Sequence, residues 1–194
     1  MRRHGFRVSP ATEVSVTGSG AMLVLRHPRW TDYDEWADIR RRDAEYLRPW
    51  EPDWADGHLS RASYKIRLTT FKKLVATDKA YPFHIVRSDT GRLIGAANLT
   101  HVERGAAQSA KLGYWVSRTE MNRGHARAAV KALTGFAFDT LALHRIEAAV
   151  QPGNAASIRV LESNGYVSEG TSRGLLRING EWADHAIYAR LRSD

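Results

Sequence analysis

Between Lys111 and Tyr166 the spacing of apolar residues alternates between the period of a strand and that of a helix. The segment LGYWV at 112–116 has the aromatic and β-branched residues of a buried strand. From about Gly124, apolar residues recur every three or four positions, which predicts a helix with one face in a core. The strand HRIEAAV and a short helix ending at Gly165 follow. The stretch is therefore predicted as strand, helix, strand and helix.

The segments before and after this unit predict further strands and helices. A strand is expected over Ala21–His27, and Thr31–Asp34 has the pattern of a capped helix start, with the helix reaching about Tyr46. Ser60 is expected to cap another helix. Good turn residues join two pairs of strands, at Asp89-Thr90-Gly91 and at Asn179-Gly180.

The resulting order is strand, two helices, three antiparallel strands, helix, strand, helix and two strands. This order predicts an α/β protein with a mixed sheet in a single domain over residues 21–194. Residues 1–20 are polar and rich in small side chains, and we expect a flexible arm or one edge strand there. A chain of 194 residues is large enough to bury one core.

The chain contains no cysteine, which limits the cross-links, metal sites and covalent intermediates that it can form. Disulfides, thiolate metal sites and a cysteine-acyl intermediate are excluded, and a reducing, cytoplasmic location is expected. No apolar run approaches the ~20 residues of a membrane span, and the basic start MRRHGFRVSP lacks the apolar core of a secretory signal. The eight histidines show no HExxH spacing, so no metal site is predicted. His185 beside Asp184 is the strongest lone candidate for chemistry, and a hydrogen-bonded structural pair is the alternative.

The net charge of +8 is unevenly distributed along the chain. Nine acidic residues lie between Thr31 and Asp56 against four arginines, and we call these residues the acidic stretch. One interpretation is that its carboxylates lie on solvated helix faces. The other is that the acidic stretch attracts a cationic substrate while the basic remainder of the chain attracts phosphates.

The predicted helix start at Gly124 is the clearest candidate binding feature. Because Gly124 and Ala126 carry no large side chain, the backbone N–H groups around them stand unshielded at the positive end of the helix dipole. Such a helix start suits a phosphate or pyrophosphate, and a plain turn glycine is the alternative. Neither a Walker loop nor a GxGxxG fingerprint is present.

Two motifs of this region resemble those of the GNAT superfamily of acetyl-CoA-dependent N-acetyltransferases. Met121-Asn122-Arg123-Gly124-His125-Ala126 stands where the family has Gln/Arg-x-x-Gly-x-Gly/Ala, and Asn154-x-x-Ser157 is followed by Asn164-Gly165-Tyr166. Nearly the whole chain from residue 21 is similar to the RimJ type of ribosomal-protein alanine N-acetyltransferase. The further matching pieces are Leu47–Pro52, Gly95–Leu99, Val102–Gly105, Leu112–Tyr114, His144–Ile146 and Asn179–His185.

This resemblance implies a fold and a cofactor. The fold is the single-domain GNAT fold, a mixed central sheet with a splayed pair of strands flanked by about four helices. The co-substrate is acetyl-CoA, with no metal. Backbone groups of a splayed strand would pair with the pantetheine arm, and amides at the helix start would bind the pyrophosphate. The cofactor-binding residues implied are Trp115, Val116, Met121, Arg123, Gly124, His125, Ala126 and Asn154.

The resemblance also implies direct attack of an amine on the thioester in a ternary complex. Such a reaction needs a neutral amine, a donor for the oxyanion and a proton for the departing thiolate. We expect Glu103 to be the base or to orient the amine, with Asn98 as a polar neighbour, and the N–H near Val116 to bind the oxyanion. Leu161 occupies the place of the family's usual tyrosine, so Ser157 is expected to protonate the thiolate. A surface role for Glu103 and a helix-start role for Ser157 are the alternatives.

The acceptor implied by the RimJ type is the α-amine of a protein that begins with alanine, in particular a ribosomal protein. Trp50 and Glu51, with the acidic stretch, are expected to line the peptide groove, and association with the ribosome is possible. No membrane or DNA partner is expected. Two other functions stay open: an N-acetyltransferase for a small amine such as a polyamine or an aminoglycoside, and a non-catalytic module that binds the ribosome or RNA.

Overall fold

The computed structural model describes residues 13–16 and 23–194 of the chain. Its strands are β1 (Glu13–Val16), β2 (Leu23–Arg26), β3 (Tyr81–Arg87), β4 (Leu93–Glu103), β5 (Ser109–Val116), β6 (Arg145–Val150), β7 (Val167–Ile178) and β8 (Glu181–Leu191). Its α-helices are α1 (Tyr33–Arg42), α2 (Ala44–Leu47), α3 (Arg61–Ala76), α4 (His125–Gly135) and α5 (Ala155–Glu162).

The predicted elements are present, with differences at their ends. The strand expected over Ala21–His27 is β2, and its first two predicted residues lie outside the described residues. Of the arm expected at 1–20, only Glu13–Val16 is described, and it is the edge strand β1. Ser60 caps α3 as predicted, because its Oγ accepts a hydrogen bond from the N–H of Ser63 at 3.2 Å.

The helix expected to reach Tyr46 is divided at Asp43 into α1 and the single turn α2. The carboxylate of Asp43 joins the helix to the sheet, and its Oδ1 accepts a hydrogen bond from Arg42 Nε at 3.0 Å. Its Oδ2 accepts hydrogen bonds from Ser117 Oγ at 2.8 Å and from Arg118 N at 2.9 Å. The break therefore ties the N-terminal helices to the residues that follow β5. It also makes α-helices five in number within the described residues, where about four were expected.

The strands form one sheet in the order β1-β2-β3-β4-β5-β6-β8-β7 over the described part of the chain. Neighbouring strands are antiparallel apart from β5 and β6, which are parallel. These two strands pair at three positions only, from Ser109–Arg145 to Lys111–Glu147. Beyond these pairs β5 continues to Val116 and β6 to Val150, so the strands separate and leave a wedge between them. The mixed sheet with a splayed pair of strands is thereby confirmed.

Apolar side chains cover both faces of the sheet. On one face α4 and α5 pack on the larger core, in which Ala129, Val130 and Leu133 are fully buried. On the other face α1 and α3 enclose a smaller core around Trp36 and Tyr64. Successive residues of a strand point to opposite faces. Tyr114 accordingly packs against the larger core, and its neighbour Trp115 against the smaller one.

Gly95 lets β4 and β5 approach each other closely beside the wedge. A Cβ atom at Gly95 would lie 2.2 Å from the carbonyl oxygen of Trp115. No side chain fits there unless the backbone moves, so the position of Trp115 and Val116 depends on this glycine.

We therefore predict that Gly95→Ala lowers the free energy of unfolding by about 1–3 kcal/mol, the usual cost of overpacking. Chemical denaturation measures this change. Gly113→Ala in the facing strand is the control, because a Cβ there meets no atom within 4 Å. Equal stability of the two variants would show that the close approach at Gly95 costs nothing to relieve.

Candidate active site

A cavity of about 640 Å³ occupies the wedge. Its walls are the ends of β5 and β6, the first turns of α4 and α5, and the loop at residues 48–52, which we call the 48–52 loop. This loop is tied down at two points. Gln151, just after β6, donates from Nε2 to the carbonyl oxygen of Pro49 at 2.8 Å, and Pro52 forms a β-bridge with Ile178 at the end of β7.

The backbone of β5 turns hydrogen-bonding groups toward the wedge. Ser117 N donates to Ile94 O on β4 at 2.7 Å, and Val116 lies opposite Gly95 in the same register. In an antiparallel ladder, hydrogen-bonded and non-hydrogen-bonded pairs alternate. The N–H of Val116 therefore points away from β4 and into the wedge, as does that of Tyr114. The backbone of Trp115 faces β4 instead, so within 114–116 the N–H groups directed into the wedge are those of Tyr114 and Val116.

The first turn of α4 forms the cavity wall that the sequence predicted. Gly124 is the N-cap residue, with φ of 77°, and no side chain caps this helix. Asn122 also has a positive φ, of 58°. A Cβ at Gly124 would meet no atom within 4 Å, so the space in front of the helix is open. The unpaired N–H groups of the first turn and the helix dipole together make this end of the cavity suitable for a phosphate group.

A charged cluster lies beside this helix start. Glu120 lines the cavity, and its Oε2 is 3.2 Å from Nε2 of the buried His125 and 3.3 Å from Nη1 of Arg123. Arg87 Nη1 approaches the same oxygen at 3.8 Å. The side chain of Arg123 thus points to Glu120, and Arg123 is not among the residues that line the cavity, whereas Met121, Gly124, His125 and Ala126 are.

Asn154 and Ser157 open α5 at the opposite wall. Asn154 is the N-cap residue, and its Oδ1 accepts a hydrogen bond from Ser157 N at 3.1 Å. Ser157 Oγ lies 2.7 Å from the hydroxyl oxygen of Tyr114, which also lies 3.1 Å from the carbonyl oxygen of Ser157. Burial raises the pKa of Tyr114 well above its usual value, so this hydroxyl keeps its proton. Leu161 is fully buried, as expected for an apolar residue in the place of the family's tyrosine.

Sequence reasoning missed the pairing of Tyr114 with Ser157. The two residues are 43 positions apart in the chain, and only the packing of α5 on β5 brings them together. The period-two alternation of LGYWV could have shown that Tyr114 and Trp115 face opposite sides of the sheet. It could not have shown which helix the tyrosine meets.

A second cavity of about 500 Å³ lies on the opposite side of β5. Its walls are rich in aromatic rings and arginines, and they include Trp36, Trp54, Phe71, Arg40 and Arg67. Three residues line both cavities: Glu51, Asn98 and Trp115. These three residues form the junction of the two cavities, and Trp115 places it near the open end of the wedge, beside Val116.

Glu51 lies at this junction, but its carboxylate is already occupied. Arg40 donates from Nη1 to Oε1 at 2.7 Å and from Nη2 to Oε2, and Trp54 Nε1 donates to Oε2 at 2.7 Å. The guanidinium carbon of Arg40 is 4.1 Å from the centroid of the Trp54 ring. Glu51 therefore neutralises a buried arginine, and its charge is not free for a cationic substrate.

The same holds for much of the acidic stretch. Asp32 is buried and accepts hydrogen bonds from Arg26 and His84, which outweigh the effect of burial and hold the pKa of Asp32 far below its usual value. Asp34 pairs with Arg61, and Asp38 with Arg41. Asp34 and Asp38 are exposed, as the interpretation of solvated helix faces expects, whereas Asp32 and Glu51 are held by arginines of the same chain.

Asn98 and Trp50 are found at the cavity, whereas Glu103 is not. Asn98 Oδ1 accepts from Phe83 N at 3.2 Å, and the half-exposed Trp50 lines the wedge. Glu103 is exposed at the far end of β4, opposite Ser109, where β5 and β6 are still paired. The expectation that Glu103 acts on the amine is contradicted by this position, because the wedge opens at the other end of the strands.

His185 also lines the cavity in the wedge. Its Nδ1 lies 2.9 Å from the carbonyl oxygen of Ala183, while Oδ1 of Asp184 accepts from Gly174 N at 2.7 Å. The two residues are therefore not hydrogen-bonded to each other, and the predicted structural pair is wrong.

Over residues 13–16 and 23–194 no group of three or more His, Asp or Glu side chains could hold a metal ion. No helix of this described part is long and apolar enough to cross a membrane.

A comparison with known families decides the class of this site. Residues 22–167 match the acetyltransferase (GNAT) domain family. The chain is a GNAT acetyltransferase. Enzymes of this family use acetyl-CoA as the acetyl donor.

Individual relatives agree with this assignment. Probable N-acetyltransferase YjcK of Bacillus subtilis (strain 168) is 33% identical over 175 residues, which are 90% of this chain and 97% of that protein. The [ribosomal protein uS5]-alanine N-acetyltransferase of Escherichia coli (strain K12) is 29% identical over 98% of this chain and 96% of its own. The structure of Mycobacterium smegmatis RimJ in complex with CoA-disulfide is similar with a TM-score of 0.88, at 30% identity, over 93% of this chain and 87% of that one.

The position of Glu51 generates a prediction about stability and charge. Glu51→Ala leaves Arg40 buried without its partner, so we expect the free energy of unfolding to fall by about 3–5 kcal/mol. Turnover should fall alike for peptides with and without a lysine, because the Glu51 charge is already neutralised. Denaturation and peptide kinetics measure the two effects.

Asp34→Ala is the matched control, since it removes one partner of an exposed carboxylate–arginine pair in the same stretch. We expect a change below about 1 kcal/mol for it. A loss of activity confined to lysine-containing peptides in Glu51→Ala would restore the view that Glu51 attracts a cationic substrate.

Proposed function

We propose that this protein transfers the acetyl group of acetyl-CoA to the α-amine at the N-terminus of a protein. The observation that supports this most is the junction of the two cavities at Glu51, Asn98 and Trp115. One cavity suits a phosphate-bearing donor, and the other suits an acceptor that approaches from the opposite side of the sheet. A ribosomal protein is the proposed acceptor, because a relative that matches 98% of this chain acts on ribosomal protein uS5.

The donor is proposed to lie along the wedge. Its pyrophosphate would accept hydrogen bonds from the first N–H groups of α4, around Gly124 and Ala126. Its pantetheine arm would extend the sheet beside β5, taking the place that β6 leaves after Lys111. Asn154, at the start of α5, would lie near the end of that arm. The acetyl carbonyl would then be close to the N–H of Val116, which can stabilise an oxyanion.

The reaction proposed is a direct attack. The amine nitrogen forms a bond to the thioester carbon, the C–S bond breaks, and the sulfur leaves as a thiolate that must gain a proton. Ser157 is suited to donate that proton, and Tyr114 is suited to orient the Ser157 hydroxyl. The single proton of the Tyr114 hydroxyl can go to the carbonyl oxygen of Ser157 at 3.1 Å or to Ser157 Oγ at 2.7 Å. When it goes to Oγ, the nearer acceptor, the serine proton is free to point into the cavity. Tyr114 is thus a positioning residue for Ser157.

The acceptor-side cavity lies between aromatic rings and arginines, with Arg67 5.2 Å from the ring centroid of Trp36. Such walls favour an uncharged or aromatic group next to the amine over a second cation, because a cation would meet Arg67. This argues for an N-terminal peptide and against a polyamine or an aminoglycoside. Association with the ribosome would follow from the proposed acceptor and from the chain's net charge of +8.

The acceptor is tested by thiol release from acetyl-CoA with synthetic peptides that begin with the uS5 N-terminus. We expect acetylation at the α-amine, located by mass spectrometry, and none with an N-acetylated or Pro-start peptide. A panel of polyamines and aminoglycosides is run in parallel. Transfer only to these small amines would overturn the peptide as acceptor. Salt-sensitive RNA binding without any transfer would favour the non-catalytic module.

The proton donor is tested by two substitutions and their combination. We expect Ser157→Ala to lower kcat by about 10²-fold, as for loss of a general acid, with nearly unchanged affinity for acetyl-CoA. Tyr114→Phe keeps the ring and removes the hydroxyl, so kcat should fall by roughly five- to tenfold, the value of one hydrogen bond. The double variant should resemble Ser157→Ala alone. Additive losses would show that the two hydroxyls act independently.

A further inference from the structure

His185 lies on β8 at the open end of the wedge. The next residue, Ala186, pairs with Val150, which is the last residue of β6. The residue His185 is only 3% exposed, yet it borders the cavity that Ser157 and Val116 also line. A polar ring is thus enclosed at the place where the two splayed strands end.

One nitrogen of this ring has a fixed role. Nδ1 lies 2.9 Å from the carbonyl oxygen of Ala183, and a carbonyl oxygen can only accept. Nδ1 therefore carries the hydrogen, and in the neutral imidazole Nε2 is then the acceptor. No hydrogen bond joins Nε2 to another described residue, and the ring borders the cavity, so Nε2 is the nitrogen left for a bound molecule.

The other ionisable groups of the cavity wall are committed elsewhere. Glu51 is held by Arg40 and Trp54, and Glu120 lies among Arg87, Arg123 and His125 at the phosphate end. Burial raises the pKa of the two tyrosines on the wall, Tyr46 and Tyr114. Arg127 and Arg159 are cations and cannot accept a proton. His125 also lines the cavity, but its Nε2 lies 3.2 Å from Glu120 at the phosphate end, so His185 is the histidine of the described cavity wall that lies away from that end.

We propose that Nε2 of His185 is the base that takes the proton of the acceptor amine. The inference rests on the proposed acetyl transfer. It assigns the role that Glu103 cannot fill, because Glu103 lies at the closed end of the sheet, where β5 and β6 are still paired. Below its pKa the amine arrives as an ammonium, and Nε2 takes one of its protons so that the nitrogen lone pair can attack. As the N–C bond forms, the nitrogen releases its second proton to solvent. As the C–S bond breaks, the thiolate takes one proton from Ser157. His185 and Ser157 then exchange these protons with solvent, so the protein returns to its starting state.

The first test measures kcat/KM for an alanine-start peptide at saturating acetyl-CoA across pH 6–9.5 in the wild type and in His185→Asn. Asparagine keeps an N–H that can donate to Ala183 and removes the base. Below the pKa of an α-amine, about 7.7–8.0, the substrate arrives protonated, so the variant should lose roughly 10²-fold there. Above that pKa the amine arrives neutral, and the loss should shrink severalfold.

Two further variants keep this test decisive. His185→Gln, which is longer, replaces His185→Asn if the latter unfolds, and thermal unfolding and acetyl-CoA affinity are measured for each. His144→Gln is the control, because His144 is exposed just before β6, at the closed end of the sheet. A loss that is equal at every pH, or a loss equal to that of His144→Gln, would overturn the base. Wild-type protein that acetylates no amine would overturn the proposed function itself.

A second test needs no substrate. In the wild-type protein the ¹⁵N shifts of the neutral His185 ring should show hydrogen on Nδ1 and none on Nε2, assigned by comparison with His185→Gln. A ring with hydrogen on Nε2 would overturn the proposal even if the variants lose activity, because such a ring cannot take a proton there.

Discussion

The whole site depends on how briefly β5 and β6 are paired. Three residue pairs hold these parallel strands together, and then the ladder stops while both strands continue. A separated strand leaves backbone donors and acceptors that must find another partner, since unpaired backbone groups are costly when they are enclosed. In this protein the separation also creates the space where that partner can lie. The early end of the β5–β6 ladder thus has two effects: it leaves backbone groups without a partner, and it produces the cavity.

The helices maintain the separation from both sides. α4 and α5 fill the larger core on one face, while α1 and α3 fill the smaller core on the other, so the gap is not closed by side chains from either layer. Asp43 links the N-terminal helices to the sheet, because it separates α1 from α2 and accepts hydrogen bonds from Ser117 and Arg118 just after β5. The end of β5 is therefore held by the N-terminal helices as well as by β4.

The sequence predicted most of the fold because its elements are strongly periodic and well punctuated. The order of strands and helices, the cap at Ser60 and the turn at Asn179-Gly180 all follow from local signals. The phosphate-suited helix start also follows, because Gly124 is required there by its left-handed backbone. These are short-range features, and each is determined by residues that are close together in the sequence.

The rest of the site depends on contacts between distant residues. The partner of Ser157 is set by the packing of α5 on β5, and no local pattern records it. Glu103 failed as a candidate for the same reason: a place on a central strand says nothing about which end of that strand opens. The Asp43 break was missed because the carboxylate that ends α1 serves residues more than seventy positions later.

The anchoring of the 48–52 loop has a consequence for selectivity. One side of the loop is bound to the residue after β6 and the other to the end of β7, while Glu51 is clamped by Arg40 and Trp54. Because the 48–52 loop is fixed at several points, it does not rearrange around each new acceptor. It borders an opening whose size is set before the acceptor arrives. Little ordering entropy is then lost on binding, and discrimination between acceptors becomes a matter of what can pass through the opening.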